Sequence, residues 1–201
     1  MKKSIIFILA IAGLFLTMGL SSCVGTYNTI IEKDEGVATA TGNLQAAYQK
    51  RADLIPNLVA TVQSYAEYES KTLEAVVEAR AKATATTLDA NNLTEESLKA
   101  FQAAQDQMSS ALSRLLVTVE QYPDLKANQN YLELQSQLES CENGIANARK
   151  QFNEAVQSYN TYTRKFPNNI IASIFGYHKK PYFEASENAQ QAPDVKDLFN
   201  N

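Results

Sequence analysis

The chain has 201 residues, of which 45% are hydrophobic and 20% charged, so it is long enough for one folded domain and too apolar for a disordered protein. Its formal net charge of -4 argues against nucleic-acid binding, which needs a basic surface. With 7 glycines, 5 prolines and no tryptophan, the composition favours helices over strands.

The first predicted element is an export leader. Segment 1–22 begins with two lysines, continues with an apolar run over residues 5–20 and ends in small residues. The run is shorter than the roughly 20 residues that a spanning helix needs. Its end, LSSC, resembles the bacterial lipoprotein box, which implies cleavage before Cys23 and acylation of that thiol. We therefore expect an extracytoplasmic, periplasm-facing lipoprotein. The alternative is a single-pass membrane protein with an uncleaved N-terminal helix.

The chain then divides into three parts. Residues 1–22 are the signal peptide, residues 23–36 the lipidated cysteine and a linker, and residues 37–201 a helical bundle domain that includes a tail from about residue 167. If Cys23 carries lipid, Cys141 has no partner for an internal disulfide. Cys141 lies on an apolar stripe and is interpreted as a small core residue.

The first bundle helix is the least regular. Apolar side chains recur at three- and four-residue spacing from Val37 to Tyr65, which predicts a helix. Pro56 lies within it, so we expect a kink near Ile55 or a new helix start there. An apolar face with a shifted phase follows at Leu73, Val76 and Val77. The β-branched and Asn-rich stretch 84–92 predicts a break.

The second helix is predicted over 95–122. Its apolar stripe is interrupted only by Gln105, Thr94 is the expected N-cap, and Pro123 is expected to end the helix. The short connection 122–128 permits an antiparallel hairpin with the next helix.

The third helix has the most regular pattern, with strict 3,4 spacing over about five heptads. Its stripe consists of Tyr131, Leu134, Leu138, Cys141, Ile145, Ala148, Phe152, Ala155, Tyr159, Tyr162 and Phe166. After Pro167 the periodicity stops, and the aromatic tail is expected to dock on the bundle. The pattern predicts an all-α fold: an elongated antiparallel bundle of three to four long helices with an irregular C-terminal tail packed on it.

Several phrases resemble the LemA family of bacteria in order and spacing, from about Gly42 to the C-terminus. They are RADLIPNLV (51–59), TLEAVVEARA (72–81), YPDLKAN (122–128), RKFP (164–167) and PYFEA (181–185). The resemblance implies a membrane-anchored antiparallel helical bundle whose biochemical role is poorly defined.

Polar, aromatic and proline residues on or beside these stripes and phrases are candidates for a structural or binding motif. They are Arg51, Asp53, Pro56, Asn57, Tyr122, Pro123, Asn128, Arg149, Asn153, Tyr159, Asn160, Pro167, Tyr182, Phe183 and Glu184. Arg51 falls on the core-facing spacing, where an unpaired charge costs several kcal/mol. Its expected partner is Asp53 or a glutamate of the third helix, Glu139 or Glu142; otherwise it binds a ligand.

The sequence contains no nucleotide-binding or hydrolase motif, and His178 is its only histidine. We expect no enzyme activity, no metal and no cofactor. The main hypothesis is a non-enzymatic interaction or scaffold module at the cell envelope, tethered to the membrane and binding an envelope protein or the membrane itself. The alternative is a small-ligand-binding or sensing domain with a polar pocket near Pro56, built from Arg51, Asp53 and nearby tyrosines. The oligomeric state is left open.

Overall fold

Helices account for all the regular structure of the described residues. The computed structural model describes the backbone of residues 2–65 and 70–184, and the side chains of 23–65 and 70–184. Its elements are α1 (Lys2–Gln63), α2 (Ser70–Ala85), α3 (Glu95–Val119), α4 (Pro123–Lys126), α5 (Gln129–Arg164) and α6 (Asn168–Ile174). The predicted all-α bundle is confirmed. The leader's side chains and the end of the tail, residues 185–201, lie outside the described residues.

Helix α1 is continuous from the leader into the bundle. Residues 23–36, the predicted linker, lie within it. Ile30, Val37 and Leu44 are buried at seven-residue intervals, so one apolar face extends through this segment. Residues 23–36 are helical because their apolar face is buried in the bundle together with the apolar stripe that begins at residue 37.

The predicted new helix start at Pro56 is wrong, because α1 continues through this exposed residue. A proline inside a helix has no N–H to donate to the carbonyl four residues earlier, which here belongs to Ala52. Arg80 of α2 supplies the missing donor, since its Nε donates to the Ala52 carbonyl oxygen over 2.8 Å. The helix therefore continues with its freed acceptor satisfied from a neighbouring helix.

This contact predicts a coupling between Arg80 and Pro56. Arg80→Met should lower the free energy of unfolding by about 1 to 3 kcal/mol, because it leaves the Ala52 carbonyl without a donor. In a Pro56→Ala variant, the new amide at position 56 can donate to that carbonyl. Arg80→Met should then lower the free energy of unfolding by less than it does in the wild type. Urea unfolding of the four proteins measures the coupling. Arg114→Met, on the exposed surface of α3, is the control. An equal cost of Arg80→Met in both backgrounds would contradict the assignment.

The long helices form an antiparallel bundle around α1. Helix α1 packs most extensively on α5 and also contacts α2, and α2 packs on α3. Arg149 contacts Tyr48 and Ser158 contacts Lys33, so residue numbers rise along α5 as they fall along α1. The closest packing of α5 is thus against α1, whereas the connection through α4 leaves α3 and α5 in weaker contact.

Two apolar clusters fill the bundle. The leader-side core contains residues such as Ile30, Leu44 and Phe152. The far core contains residues such as Leu58 and Leu115. Leu98, Phe101, Gln105, Met108, Leu112, Leu115 and Val119 are all buried, as the α3 stripe predicts.

The buried face of α5 departs from the predicted stripe beyond Phe152. It passes through Val156, Tyr159, Asn160 and Thr163. Ala155 and Tyr162 are only partly buried, and Phe166 is 82% exposed. A helix with 3.6 residues per turn drifts by about 20° per heptad against a 3.5-residue repeat, so a strict heptad stripe leaves the core after several turns. On α2, Val76 is buried but Val77 is exposed.

Side-chain caps define the starts of α3 and α5. Thr94 caps α3 through its hydroxyl, which accepts from the Ser97 amide at 3.1 Å. Asn128 caps α5, since its Oδ1 accepts from the Tyr131 amide at 3.1 Å. Helix α3 ends at Val119, and Pro123 begins α4 instead of ending α3. A proline suits that first position because the amide there has no helical partner.

The described part of the tail is more regular than predicted, since α6 begins four residues after the end of α5. Gly176, with φ of 75°, ends α6 in a left-handed conformation that glycine adopts without strain. The Tyr177 amide donates to the Ala172 carbonyl at 2.8 Å, which completes this C-cap. The chain then reverses and follows α5 as an extended strap, residues 177–184.

Candidate functional site

The side chain of Arg51 lies in the bundle and is only 1% exposed. Its Nη1 donates to Ser109 Oγ at 2.8 Å and to Glu142 Oε1 at 2.9 Å. Its Nη2 donates to the backbone oxygen of Gln105 at 3.2 Å and to Gln105 Oε1 at 2.9 Å. Arg51, Gln105, Ser109 and Glu142 form the polar layer.

The polar layer joins all four long helices. Gln105 Nε2 donates to the carbonyl oxygen of Ala83 at 3.2 Å, which brings α2 into the network. Asp53 is exposed and accepts from Gln49 Nε2, so it is not the partner of Arg51. Glu142 is that partner, and its side chain remains 52% exposed. The layer therefore holds the helices in register and keeps one carboxylate in contact with water.

A second cation, Arg149 of α5, lies next to this layer. Its Nε donates to the Tyr48 hydroxyl at 2.7 Å, and its guanidinium lies 4.7 Å from the ring centroid of Phe183. The Nη2 atom of Arg149 is 3.9 Å from Asp106 Oδ1. Burial raises the pKa of Tyr48, with Arg149 opposing the rise. The protonated hydroxyl accepts the guanidinium hydrogen bond, and Arg149 thereby ties α1 to the strap through α5.

Two asparagines of α5 hold the strap by its backbone. Asn153 Nδ2 donates to the Phe183 carbonyl at 2.9 Å, and its Oδ1 accepts from the Phe183 amide at 2.8 Å. Asn160 does the same for Lys180, at 2.8 and 2.9 Å. An asparagine side chain has an N–H donor and an oxygen acceptor side by side. These match the carbonyl and the N–H of one residue in an extended segment. These two candidate residues therefore both contact the backbone of the strap.

Lys180 adds an ion pair that connects the strap to α1. Its Nζ lies 2.7 Å from Asp34 Oδ1 and 5.3 Å from the ring centroid of Tyr159. Burial, and secondarily the charge of Asp34, raises the pKa of Tyr159 to about 12. The ring of Tyr159 provides an apolar and cation-binding surface for the lysine.

The remaining candidate residues do not converge on one place. Asn57 is exposed, and its backbone oxygen accepts from Thr61. Tyr122 packs beside the far core, and Pro123 and Asn128 begin α4 and α5. Pro167 precedes α6 after a cis peptide bond. Tyr182 and Glu184 flank Phe183 on the strap and are exposed.

Sequence reasoning included Glu142 among the possible partners of Arg51 but missed the other contacts of the site. Gln105 appears in the sequence only as the polar interruption of an apolar stripe, which is a signal for a buried polar contact. Arg80 and Lys180 carry no such signal, because neither interrupts a stripe. Their roles depend on which helix lies beside them.

The surroundings of the polar layer hold little open space. A cleft lined in part by Tyr48, Ala52 and Gln105 has a volume of about 50 Å³, whereas small-molecule sites usually occupy about 300 to 1,000 Å³. Among the residues with described side chains, no group of three or more His, Cys, Asp or Glu is placed to hold a metal ion. Among those same residues, no helix has the length and apolar content needed to cross a membrane.

Comparisons with known proteins identify relatives over most of the chain. The model of the LemA family matches residues 40–196. Protein LemA of Metamycoplasma hominis is 25% identical over 177 residues, covering 88% of this chain and 77% of that protein. Magnetosome protein MamQ 2 of Paramagnetospirillum magneticum is 25% identical over 195 residues, with 88% and 71% covered. Magnetosome protein MamQ of Magnetospirillum gryphiswaldense is 25% identical over 192 residues, with 87% and 71% covered.

Proposed function

Because the chain belongs to the LemA family, we propose that it is a lipid-anchored, extracytoplasmic scaffold that presents a rigid helical rod at the cell envelope. The observation that carries the proposal is the continuity of α1. One helix begins at Lys2, passes Cys23 and contributes Ile30 to the leader-side core. An anchor at residue 23 is thereby joined to the bundle without a flexible linker.

The non-enzymatic part of the proposal is supported by the use of the buried polar groups. Arg51 and Arg149 are the charged groups best placed for chemistry, and both hold helices together. The side-chain amides of Asn153 and Asn160 are hydrogen-bonded to the strap. A site for substrate needs polar groups directed into a cavity, and these groups are directed at the protein itself.

The alternative, a ligand pocket near Pro56, has less support. Pro56 lies in an unbroken helix and Asp53 is exposed. A cleft of about 510 Å³ lies between α1 and α2 just beyond Pro56, but its lining, which includes Val59, Leu73 and Val77, contains neither Arg51 nor Asp53. The cleft beside Tyr48 measures only about 50 Å³. The scaffold is therefore the function that the geometry favours.

Intact-mass analysis of the protein extracted from membranes tests the anchor. We expect loss of residues 1–22 and the added mass of acyl chains, because the motif LSSC ends in the exposed Cys23. Cys23→Ser should retain the leader and lack the lipid. Cys141→Ser, which alters a buried thiol, should be processed normally. A full-length mass with an unmodified Cys23 would contradict lipidation and favour an uncleaved helix.

In-cell crosslinking followed by mass spectrometry tests the scaffold role. Crosslinks should join exposed lysines, such as Lys71 and Lys150, to proteins of the envelope. Recovery of no envelope protein would contradict an interaction role, even if the anchor were present.

A further inference from the structure

Helix α6 is apolar on two opposite sides. Ile171 and Ala172 are buried against the bundle, whereas Ile170 and Ile174 face away from it and Ile174 is 71% exposed. Phe166, before the helix, and Phe175, at its C-cap, are exposed as well. An exposed patch of several large apolar side chains typically marks a site of contact with a partner or a membrane. No residue with a described side chain covers the outer side of α6.

The exposed side of α6 continues onto the segment of α1 that follows Cys23. The Phe175 ring lies 4.5 Å from that of Tyr27, measured between centroids. On the same face of α1, Val24 and Ile31 are three residues before and four after Tyr27, and both are exposed. Together they form the apolar collar, which consists of Val24, Ile31, Phe166, Ile170, Ile174 and Phe175.

The collar lies close to the proposed anchor point. The ring of Phe175, at the C-cap of α6, contacts the ring of Tyr27, so the collar lies at the level of Tyr27 on α1. Tyr27 is four residues, or about 6 Å, from Cys23 along the helix axis. Interfacial helices bury their apolar side about 5 to 10 Å into the headgroup region.

Charge and chain direction favour a lipid surface as the occupant of the collar. Arg164 and Lys165 directly precede Phe166 and are exposed. Basic residues beside an apolar helix face are typical of binding to anionic bilayers. The strap leads away from the collar, since Phe183 lies beside Asn153, eleven residues or about 16 Å back from the end of α5.

We propose that the apolar collar inserts into the bilayer interface as a second membrane contact, which orients the rod relative to the membrane. The inference rests on the proposed anchoring at Cys23. The acyl chains alone tether the protein at one point and leave it free to tilt. A shallow insertion of α6 on one side of α1 fixes which face of the rod is directed at the lipid.

The absence of tryptophan allows a direct test with one introduced reporter. The full lipid-anchored chain carrying Ile174→Trp is reconstituted into vesicles of phosphatidylcholine and phosphatidylglycerol, with and without brominated phosphatidylcholine. The matched control is Val117→Trp, also on an exposed apolar residue, near the far end of α3. Flotation of the vesicles reports anchoring separately, and circular dichroism reports folding. Phe166→Trp is a second reporter in case Ile174→Trp is less helical.

We expect shallow bromines to reduce the indole emission of the Ile174→Trp variant by about half, because an interfacial side chain lies at their depth. The emission of the Val117→Trp control should be unchanged. If both collar variants, Ile174→Trp and Phe166→Trp, float with the vesicles and remain unquenched, the inference is overturned and the anchor stays intact. Protein that fails to float contradicts the anchoring and with it the inference. If the emission shifts to shorter wavelengths in the absence of lipid as the protein concentration rises, a second copy of the chain binds the collar. That result overturns the inference.

Discussion

Arg51→Met should lower the free energy of unfolding by about 2 to 4 kcal/mol, measured by urea unfolding. Methionine preserves most of the apolar volume but supplies none of the donors that reach Gln105, Ser109 and Glu142. Gln105 Oε1 is then left buried without its donor. The half-exposed Glu142 can be rehydrated, so the loss should fall short of that for a fully buried pair.

Lys50→Met is the matched control for this prediction. It removes the same charge from the adjacent residue of α1, where the side chain is exposed, and should change stability by less than about 0.5 kcal/mol. Two equally stable variants would contradict the structural role of the polar layer. If Arg51→Met also abolished a cellular phenotype without loss of stability, the ligand-binding alternative would be favoured.

Phe183→Ala should release the strap and lower the free energy of unfolding by about 3 kcal/mol. Phe183 is 5% exposed, belongs to the leader-side core and lies edge-on to Phe152 with ring centroids 6.5 Å apart. Truncating a buried phenylalanine costs about 3 to 5 kcal/mol, and detachment of the strap limits the loss to the lower part of that range. Limited proteolysis should cut at 177–184 in the variant before it cuts α5.

Tyr182→Ala tests whether burial causes this effect. It removes a side chain of similar size from the neighbouring residue, which is exposed, and should cost less than about 1 kcal/mol. Amide exchange at Phe183 is the second measurement, because that amide donates to Asn153 Oδ1. Proteolysis and exchange that are the same in both variants and the wild type would show that the strap is held by other contacts.

The course of α1 shows where prediction from sequence reached its limit. Pro56 carries a clear local signal for a break, and the signal is correct about the lost hydrogen bond. The donor that repairs it, Arg80, is 28 residues away and on another helix. A local rule cannot include that partner, because only packing of α2 on α1 brings it within reach.

The polar layer is a second example. Arg51 and Gln105 each interrupt an apolar stripe, so the sequence identifies both as residues that need a partner. The sequence left three carboxylates, Asp53, Glu139 and Glu142, as possible partners of Arg51, and only the structure selects Glu142. The same holds for Asn153 and Asn160, whose backbone partners lie on a strap that the sequence presents as irregular.

The sequence by itself determined the helical class, the helix cap at Thr94, most of the buried stripes and the LemA resemblance. These depend on residues within one or two turns of each other, where the 3.6-residue period and the end groups of a helix act. Tertiary structure alone decided that α5 packs mainly on α1, that Arg80 satisfies Ala52, and that α6 leaves an apolar side beside Tyr27. Those contacts join residues that are far apart in the chain. Local periodicity shows which face of each helix is apolar but not which helices pack together, and that choice depends on how well whole faces bury one another.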